Sequence, residues 1–402
     1  MAEKKKYKII IAAGGTGGHV FPAIALAKKF ESDGHQVVII ATGNDLEKKI
    51  FAQQQIDVVY SESRFKDVSR FRKYISLFTP PKADLYNYMR DFNPNLVLGM
   101  GGYASLDVCK SASYILEAGD SNDHFMMHNK IMPYIAIHEQ NSKAGRANKY
   151  IANSCARAVI EGFPGAFDWK TRFFQKSTDD LIFLGNPVSN EILNINRKVR
   201  SYNEYSKNPR ILVLGGSQGA RSINYSIPKA VKELSKKMNI EVMHQTGELD
   251  HEEICQIYKE NEFSADIFPF IKDMAQAYEW ADLVIGRSGA MTVSELSAIG
   301  IPSILIPYPY AMDNHQLFNA RFLEEKKGSI IIEDKKLNPE YLAEIIKKII
   351  SKDGILKDMA EAAFDETFVN ATENITQFCY KMIEKPPLIG SVYPEKNVKT
   401  ST

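Results

Sequence analysis

Ile9-Ile10-Ile11-Ala12-Ala13-Gly14-Gly15-Thr16-Gly17-Gly18-His19 opens the first half of the chain, and Ile211-Leu212-Val213-Leu214-Gly215-Gly216-Ser217-Gln218-Gly219-Ala220 opens the second. Each reads as a buried strand, a glycine turn and the start of a helix. Glycines there let the backbone turn tightly, and the helix start offers unpaired N–H groups to an anion. The same rhythm runs on from each opening. Apolar runs fall at Tyr7–Ala13, Gln36–Thr42, Asp57–Tyr60, Asn95–Met100, Tyr134–His138 and Ala156–Ile160. The second series is Arg210–Leu214, Ile240–Gln245, Ala265–Pro269, Asp282–Ile285, Pro302–Ile306 and Ser329–Ile332. Helical patterns separate them, as at Phe21–Glu31, where Ile24, Leu26, Ala27 and Phe30 are apolar. Continuous apolar strands alternating with helices predict parallel sheets covered on both faces. The doubling predicts an α/β protein of two Rossmann-like domains facing across a cleft. Its ligand site should be built by loops at the carboxyl ends of the strands. Polar Asn196–Pro209 reads as the linker, between a first domain over 1–195 and a second over 210–364. Polar Glu117–Met132 reads as an inserted loop, and Glu384–Thr402, with Pro386, Pro387 and Pro394, as a tail.

The bulk properties agree. The chain has 402 residues, with 50 Lys and Arg against 49 Asp and Glu, for a net charge of +1. That balance argues against wrapping nucleic acid by bulk charge. Apolar residues at 44% and charged residues at 25% are globular composition and exclude wholesale disorder. Cys109, Cys155, Cys255 and Cys379 are far apart and form no CxxC pair, which predicts reduced thiols. No run reaches 18 consecutive apolar residues. The basic Met1–Lys6 and the apolar run after it lead straight into the glycine loop rather than a cleavage site, so the sequence reads as cytoplasmic.

The glycine loops narrow the chemistry. Gly14–Gly18 breaks GxGxxG spacing, and the second strand ends Ile40-Ala41-Thr42 without the acid that would hold a ribose diol. A GxxxxGK[ST] loop is absent as well. Phosphate or sugar-nucleotide binding fits better, with Pro22 read as a first-turn proline. His19, at the mouth of the loop, is either a general base or substrate contact, or a structural hydrogen-bonding group. Gly286-Arg287-Ser288-Gly289 followed by Ala290–Leu296 predicts another helix N-terminus at a strand end, facing a pyrophosphate. Glu295, about one turn on, would accept from ribose hydroxyls. Asp313-Asn314-His315-Gln316 predicts a helix start capped by Asp313 or Asn314, with amides suited to sugar hydroxyls. His138-Glu139-Gln140-Asn141 invites a metal reading, but no second ligand pair of known spacing accompanies it, and the chain has no Asp-x-Asp triplet. Metal-free, cofactor-free chemistry is the expectation.

Six motifs stand in order: Gly14–His19, Gly101-Gly102-Tyr103, His138–Asn141, Gly185-Asn186-Pro187-Val188, Gly215–Ala220 and Arg287–Glu295. Together they resemble the bacterial MurG family, the N-acetylglucosaminyltransferases of peptidoglycan synthesis, from about Tyr7 to about Met382. The resemblance implies the two-domain GT-B fold. The first domain would be the acceptor and membrane side, completed by a C-terminal helix at about 365–383, and the second would bind the donor. It implies UDP-N-acetylglucosamine as donor and undecaprenyl-pyrophosphoryl-N-acetylmuramoyl-pentapeptide, lipid I, as acceptor. Transfer to the C4 hydroxyl with inversion would give lipid II. It puts Thr16, Gly17, Gly18, Asn141, Ser217, Ile271, Ala290, Met291, Thr292, Val293, Ser294, Glu295 and Gln316 on donor-binding positions, with Ile271 meeting uracil through its backbone. Ser189 stands on a further donor-contact position, where the family usually has Arg. The family's Ser-Gly-Pro after Gly-Gly-Tyr is also replaced, by Ala104-Ser105-Leu106-Asp107.

A lipid acceptor implies a peripheral place on the cytoplasmic face of the inner membrane, with other cell-wall synthesis proteins as partners and no nucleic acid. Ser69–Tyr88, with Arg70, Phe71, Arg72, Lys73, Tyr74, Leu77, Phe78, Lys82, Tyr86 and Tyr88, suits an anionic bilayer surface or an amphipathic helix packed on the sheet. The competing readings are a related enzyme with another acceptor, a UDP-N-acetylglucosamine 2-epimerase, and a UDP-sugar-binding protein without catalysis.

Overall fold

The computed structural model describes residues 5–15, 17–63, 82–118, 133–167, 180–195, 208–216, 219–351 and 354–384. Its first sheet comprises β1 (Lys8–Ala12), β2 (Gln36–Ala41), β3 (Val58–Tyr60), β4 (Leu96–Gly99), β5 (Tyr134–Glu139), β6 (Ala158–Glu161) and β7 (Asp180–Phe183). Its second comprises β8 (Arg210–Leu214), β9 (Glu241–Gln245), β10 (Asp266–Phe268), β11 (Leu283–Gly286), β12 (Ser303–Leu305) and β13 (Ser329–Ile331). The orders are β3-β2-β1-β4-β5-β6-β7 and β10-β9-β8-β11-β12-β13. Every strand pair is parallel. The order reverses between β1 and β4 in one sheet and between β8 and β11 in the other. In doubly wound sheets a crevice opens at that point, beyond the carboxyl ends of the two strands. The loops that follow these four strands carry Gly14–His19, Gly101–Tyr103, Gly215–Ala220 and Arg287–Ser288.

Strand β1 shows why the sheet is buried on both faces. Ile9 and Ile11 enter one apolar cluster, Ile10 and Ala12 another, and all four are fully buried. Each such isoleucine contributes roughly 1.5–3 kcal/mol of burial. Helix Ala371–Glu384 packs on the first domain, adding Ala371, Ile375, Cys379 and Met382 to the cluster of Ile9 and Phe30. Polar contacts fix it: Tyr380 donates to Asp33 at 2.7 Å, Tyr7 donates to Glu384 at 3.1 Å, and Lys29 lies 2.9 Å from Glu373. A further cluster joins the halves, packing Phe163, Val188 and Ile192 with Leu212, Val284 and Phe368.

Strand β7 was not among the expected strands, although Leu181-Ile182-Phe183-Leu184 is a short apolar run. Helix Gly102–Ala118 takes in Glu117 and Ala118, so the segment read as a loop begins two residues later. The remainder of that insertion, most of the linker, Ser69–Pro81 of the basic aromatic segment and all but Glu384 of the tail lie outside the described residues. Lys82 is the N-cap of helix Ala83–Phe92, which contains Tyr86 and Tyr88 and buries Leu85 and Met89. Among the described residues no helix is long and apolar enough to cross a membrane.

Candidate active site

The loop after β1 is held by a carboxyl group in the first turn of helix Asp45–Phe51, which follows β2. Glu47, fully buried, accepts from the Gly15 N–H at 2.5 Å, the Thr42 hydroxyl at 2.6 Å, the Gly43 N–H at 2.7 Å and the Asn44 side-chain amide at 2.7 Å. Asn44 in turn caps helix Asp45–Phe51 by accepting from the Glu47 N–H at 2.9 Å. One buried carboxyl group thus ties the first glycine turn to the next loop. Helix Gly17–Ser32 starts directly after Thr16, which lies outside the described residues. Pro22 therefore sits in the second turn, not the first, and supplies no N–H to the Gly18 carbonyl.

His19 projects from this helix start toward the loop after β4. A Cβ on Gly101 would lie 2.9 Å from His19 Cε1, and Gly101 has a φ of +97°, so the imidazole has room only because that position is glycine. His19 Nδ1 lies 2.7 Å from Gln140 Oε1. Gln140 Nε2 lies 2.8 Å from His138 Nδ1, and His138 Nε2 lies 2.9 Å from the Gly185 carbonyl. Burial pulls His138 down to about 4, so the ring is neutral at physiological pH. Glu139 accepts from the Asn141 N–H at 3.0 Å and side-chain amide at 3.2 Å, and from Gly145 N–H and Asn148 Nδ2, both at 2.9 Å. His138 and Glu139 are thereby committed to the fold of the strand end, and among the described residues no three His, Cys, Asp or Glu side chains gather as metal ligands. The residues that replace the family's Ser-Gly-Pro are also structural: Ser105 donates to the Ala12 and Gly101 carbonyls at 2.8 Å each, and Asp107 accepts from Ser63 at 2.8 Å.

Across the cleft, helix Ala290–Ile299 begins after Gly289, and the N–H groups of its first turn have no intrahelical acceptor. Val293 and Ser294 are fully buried, with Val293 in the core, so of this run Met291, Thr292 and Glu295 keep accessible side chains. Arg287 is engaged by the Ile306 and Pro307 carbonyls, Asp334 and Ser222, which locks the turn before the helix. Ser288 donates to the Gln316 carbonyl at 2.8 Å, and Gln316 Oε1 accepts from the Tyr308 N–H at 2.9 Å. Asn314 is the cap residue of helix His315–Glu325, but its side chain makes no cap bond. Both Asp313 and Asn314 are left-handed, with φ of +52° and +54°, which turns their side chains from the usual capping geometry. Half-buried Glu295 accepts from the Tyr278 hydroxyl at 2.8 Å. Burial pushes its carboxyl up to about 7, the tyrosine pulling the other way. Ile271 is buried, and its N–H already donates to Gln245 Oε1 at 3.0 Å. A uracil reading that N–H would displace the glutamine. Ser217 lies outside the described residues. Ser189 is the N-cap residue of helix Asn190–Leu193, without a side-chain cap bond.

Two buried asparagines cross between the halves. Asn186 Nδ2 donates to the Gln140 carbonyl at 2.9 Å and to Ser294 Oγ at 2.8 Å. Asn319 accepts from the Ser142 N–H at 2.8 Å and donates to Asn141 Oδ1 at 3.3 Å and the Ser288 carbonyl at 3.2 Å. His19, Gly17, Gly18 and Asn141 thus gather on one rim, and Ala290, Met291, Thr292, Glu295, Gln316 and Ile271 belong to the other. Glu47, Asn319, Tyr278 and Gln245 were missed. For Glu47 a signal existed, because Asn44-Asp45-Leu46-Glu47 has capping-box spacing.

Residues 9–160 match the model of the glycosyltransferase family 28 N-terminal domain, and residues 210–375 match that of the family 28 C-terminal domain. A protein of Francisella tularensis subsp. holarctica is 36% identical over 389 residues, covering 93% of this chain and 97% of its own. One of Nitrosospira multiformis is 34% identical over 385 residues, covering 94% and 99%. Both are named UDP-N-acetylglucosamine–N-acetylmuramyl-(pentapeptide) pyrophosphoryl-undecaprenol N-acetylglucosamine transferase. The crystal structure of Acinetobacter baumannii MurG superposes with a TM-score of 0.71 at 28% identity, covering 94% of this chain and 100% of that one. The chain belongs to the MurG family. Its two sheets are the two halves of the GT-B fold, and the cleft just described is the cleft of a MurG-type glycosyltransferase. Ser189 and the Ala104–Asp107 segment are departures within the MurG family; Ser189 sits at the N-cap of helix Asn190–Leu193, and Ala104–Asp107 lies in the first turns of helix Gly102–Ala118.

Proposed function

We propose that this chain transfers N-acetylglucosamine from UDP-N-acetylglucosamine to the C4 hydroxyl of lipid I, giving lipid II with inversion at the sugar C1. The names of the two relatives, matched over nearly their whole length, support donor and acceptor alike. The observation that carries the mechanism is His19, set on the first glycine loop with one ring nitrogen engaged by Gln140. The acceptor oxygen forms its bond to C1 as the bond from C1 to the UDP oxygen breaks. The hydroxyl proton passes to His19, and UDP leaves with the electron pair. Its added charge is met by the first-turn N–H groups of helix Ala290–Ile299 and by the loop after β8, without further rearrangement. Glu295 accepts from the ribose hydroxyls, and the Ile271 backbone reads uracil once Gln245 swings away. The enzyme works peripherally on the cytoplasmic face of the inner membrane, where its lipid acceptor lies.

The test is transfer of radiolabelled N-acetylglucosamine from its UDP donor to a short-chain lipid I analogue in the presence of EDTA. Labelled disaccharide lipid is the expected product. Donor binding without transfer would favour another acceptor or a binding protein without catalysis.

A further inference from the structure

The chain of groups behind His19 ends on atoms that can only accept. His138 Nε2 faces the Gly185 carbonyl at 2.9 Å, so Nε2 must carry the proton. The ring is fully buried and therefore neutral, which leaves Nδ1 bare. A bare Nδ1 needs a donor, and Gln140 Nε2 lies 2.8 Å away. The second proton of that amide meets the His138 main-chain carbonyl at 3.1 Å, again an atom that only accepts. The amide cannot be turned over. Reversed, it would set its oxygen against the His138 carbonyl and would require a doubly protonated imidazole in a buried site. Gln140 Oε1 therefore faces His19, 2.7 Å from Nδ1, and can only accept from it. Among the described residues His19 Nε2 has no hydrogen-bond partner.

We propose that Gln140 and His138 are positioning residues that hold His19 as the Nδ1–H tautomer, keeping the Nε2 lone pair for the acceptor hydroxyl. This rests on the proposed function for its catalytic use, but the tautomer is a property of the free protein. The direction of the relay is set by two backbone carbonyls, and neither histidine has to change charge to maintain it. As the proton arrives on Nε2 during transfer, the Nδ1–H bond to Gln140 strengthens, because the imidazolium is the better donor. The same logic places an orienting group behind the catalytic imidazole in hydrolytic triads, where the wrong tautomer removes activity though the geometry survives. Asn186, in the same domain, supports the arrangement by donating to the Gln140 carbonyl, and its bond to Ser294 Oγ ties it to the other domain.

The experiment is nitrogen NMR of the full chain labelled with ¹⁵N in its histidine rings, with His19→Gln used to assign the His19 signals. At a pH where His19 is neutral, the unaltered chain should show a protonated Nδ1 and a bare Nε2. Gln140→Met, which keeps the length and removes the acceptor, should shift the population toward Nε2–H. It should also lower kcat roughly tenfold to a hundredfold with donor KM unchanged, part of the 10²–10⁴ that a positioned base supplies. An Nε2–H tautomer in the unaltered chain overturns the proposal, whether or not the variant folds. An unchanged tautomer and kcat in Gln140→Met also overturn it. Absence of transfer by the unaltered chain counts against the proposed function and not against the tautomer, which the spectrum reads without substrate.

Discussion

At the scale of single residues, Glu295 and Gly101 each trade stability or freedom for the site. Glu295 has a carboxyl pushed up to about 7 by burial, against an ordinary 4.5. Below the ordinary value both folded and unfolded chains hold the proton, and the group is neutral toward stability. As pH rises from there to about 7 the unfolded chain ionises first, so stability falls, and the penalty levels off above about 7. Its limit is about 3 kcal/mol. Glu295→Gln should therefore raise the urea midpoint clearly at pH 8 and less at pH 5. It should raise the donor KM at the same time, because an amide accepts poorly from two hydroxyls. An equal midpoint shift at both pH values would show that the carboxyl ionises normally. Gly101 is decided by space. A methyl at Gly101 would meet the His19 ring at 2.9 Å. Gly101→Ala should thus displace the imidazole and lower kcat by about a hundredfold, the effect expected of a misplacement near 1 Å, while donor KM holds. Equal losses in both parameters would point instead to a collapsed loop.

Among the elements, the strand ends decide the site, and they were legible. Short, β-branched apolar runs closed by glycine turns and alternating with helical patterns read as buried parallel strands feeding helices, so β1 and β8 announced both sheets. What stayed hidden were the groups that hold those turns from elsewhere. Gln140 reaches His19 across 121 positions, and Asn319 reaches Ser142 across 177, distances over which no local pattern speaks. The Pro22 reading failed by one turn, because the helix starts within the glycine run itself. Glu47 was legible in principle by its capping spacing, yet its larger work is on Gly15, 32 positions earlier. Four donors converge on its two oxygens. Glu47→Gln offers one oxygen and adds two N–H donors, so buried donors lose their partner, at about 1–3 kcal/mol. Calorimetry should show a lower Tm, and donor affinity should weaken because the first loop loosens. An unchanged Tm would mean that water replaces the carboxylate.

For the whole molecule, the polar contacts by which the two Rossmann-like domains meet near the cleft, among the described residues, include Asn186 to Ser294, Asn319 to Ser142 and Asn141, and Lys143 over the Phe318 ring at 4.8 Å. Interfaces of this kind between domains permit relative motion unless they are large and apolar. The apolar cluster of Phe163, Val188, Leu212 and Phe368 lies where the chain crosses between the domains and can act as a pivot. Asn319 stands at the mouth, joined to the motif strand end on one side and to the Ser288 carbonyl beside the helix Ala290–Ile299 on the other. It therefore ties the second domain to Asn141 and Ser142 of the first. Asn319→Ala removes both cross-domain bonds without touching either glycine loop. The domains should then open further without donor, read as a larger radius of gyration by small-angle scattering, and close again when UDP-N-acetylglucosamine is added. Part of the donor's binding energy would be spent on that closure, so donor KM should rise while kcat at saturation changes little. In a double-mutant cycle with Asn141→Ala the two losses should fail to add, with a coupling of about 0.5–3 kcal/mol. Additive losses and an unchanged radius would make Asn319 a local fastening rather than the link through which donor binding draws the two domains together.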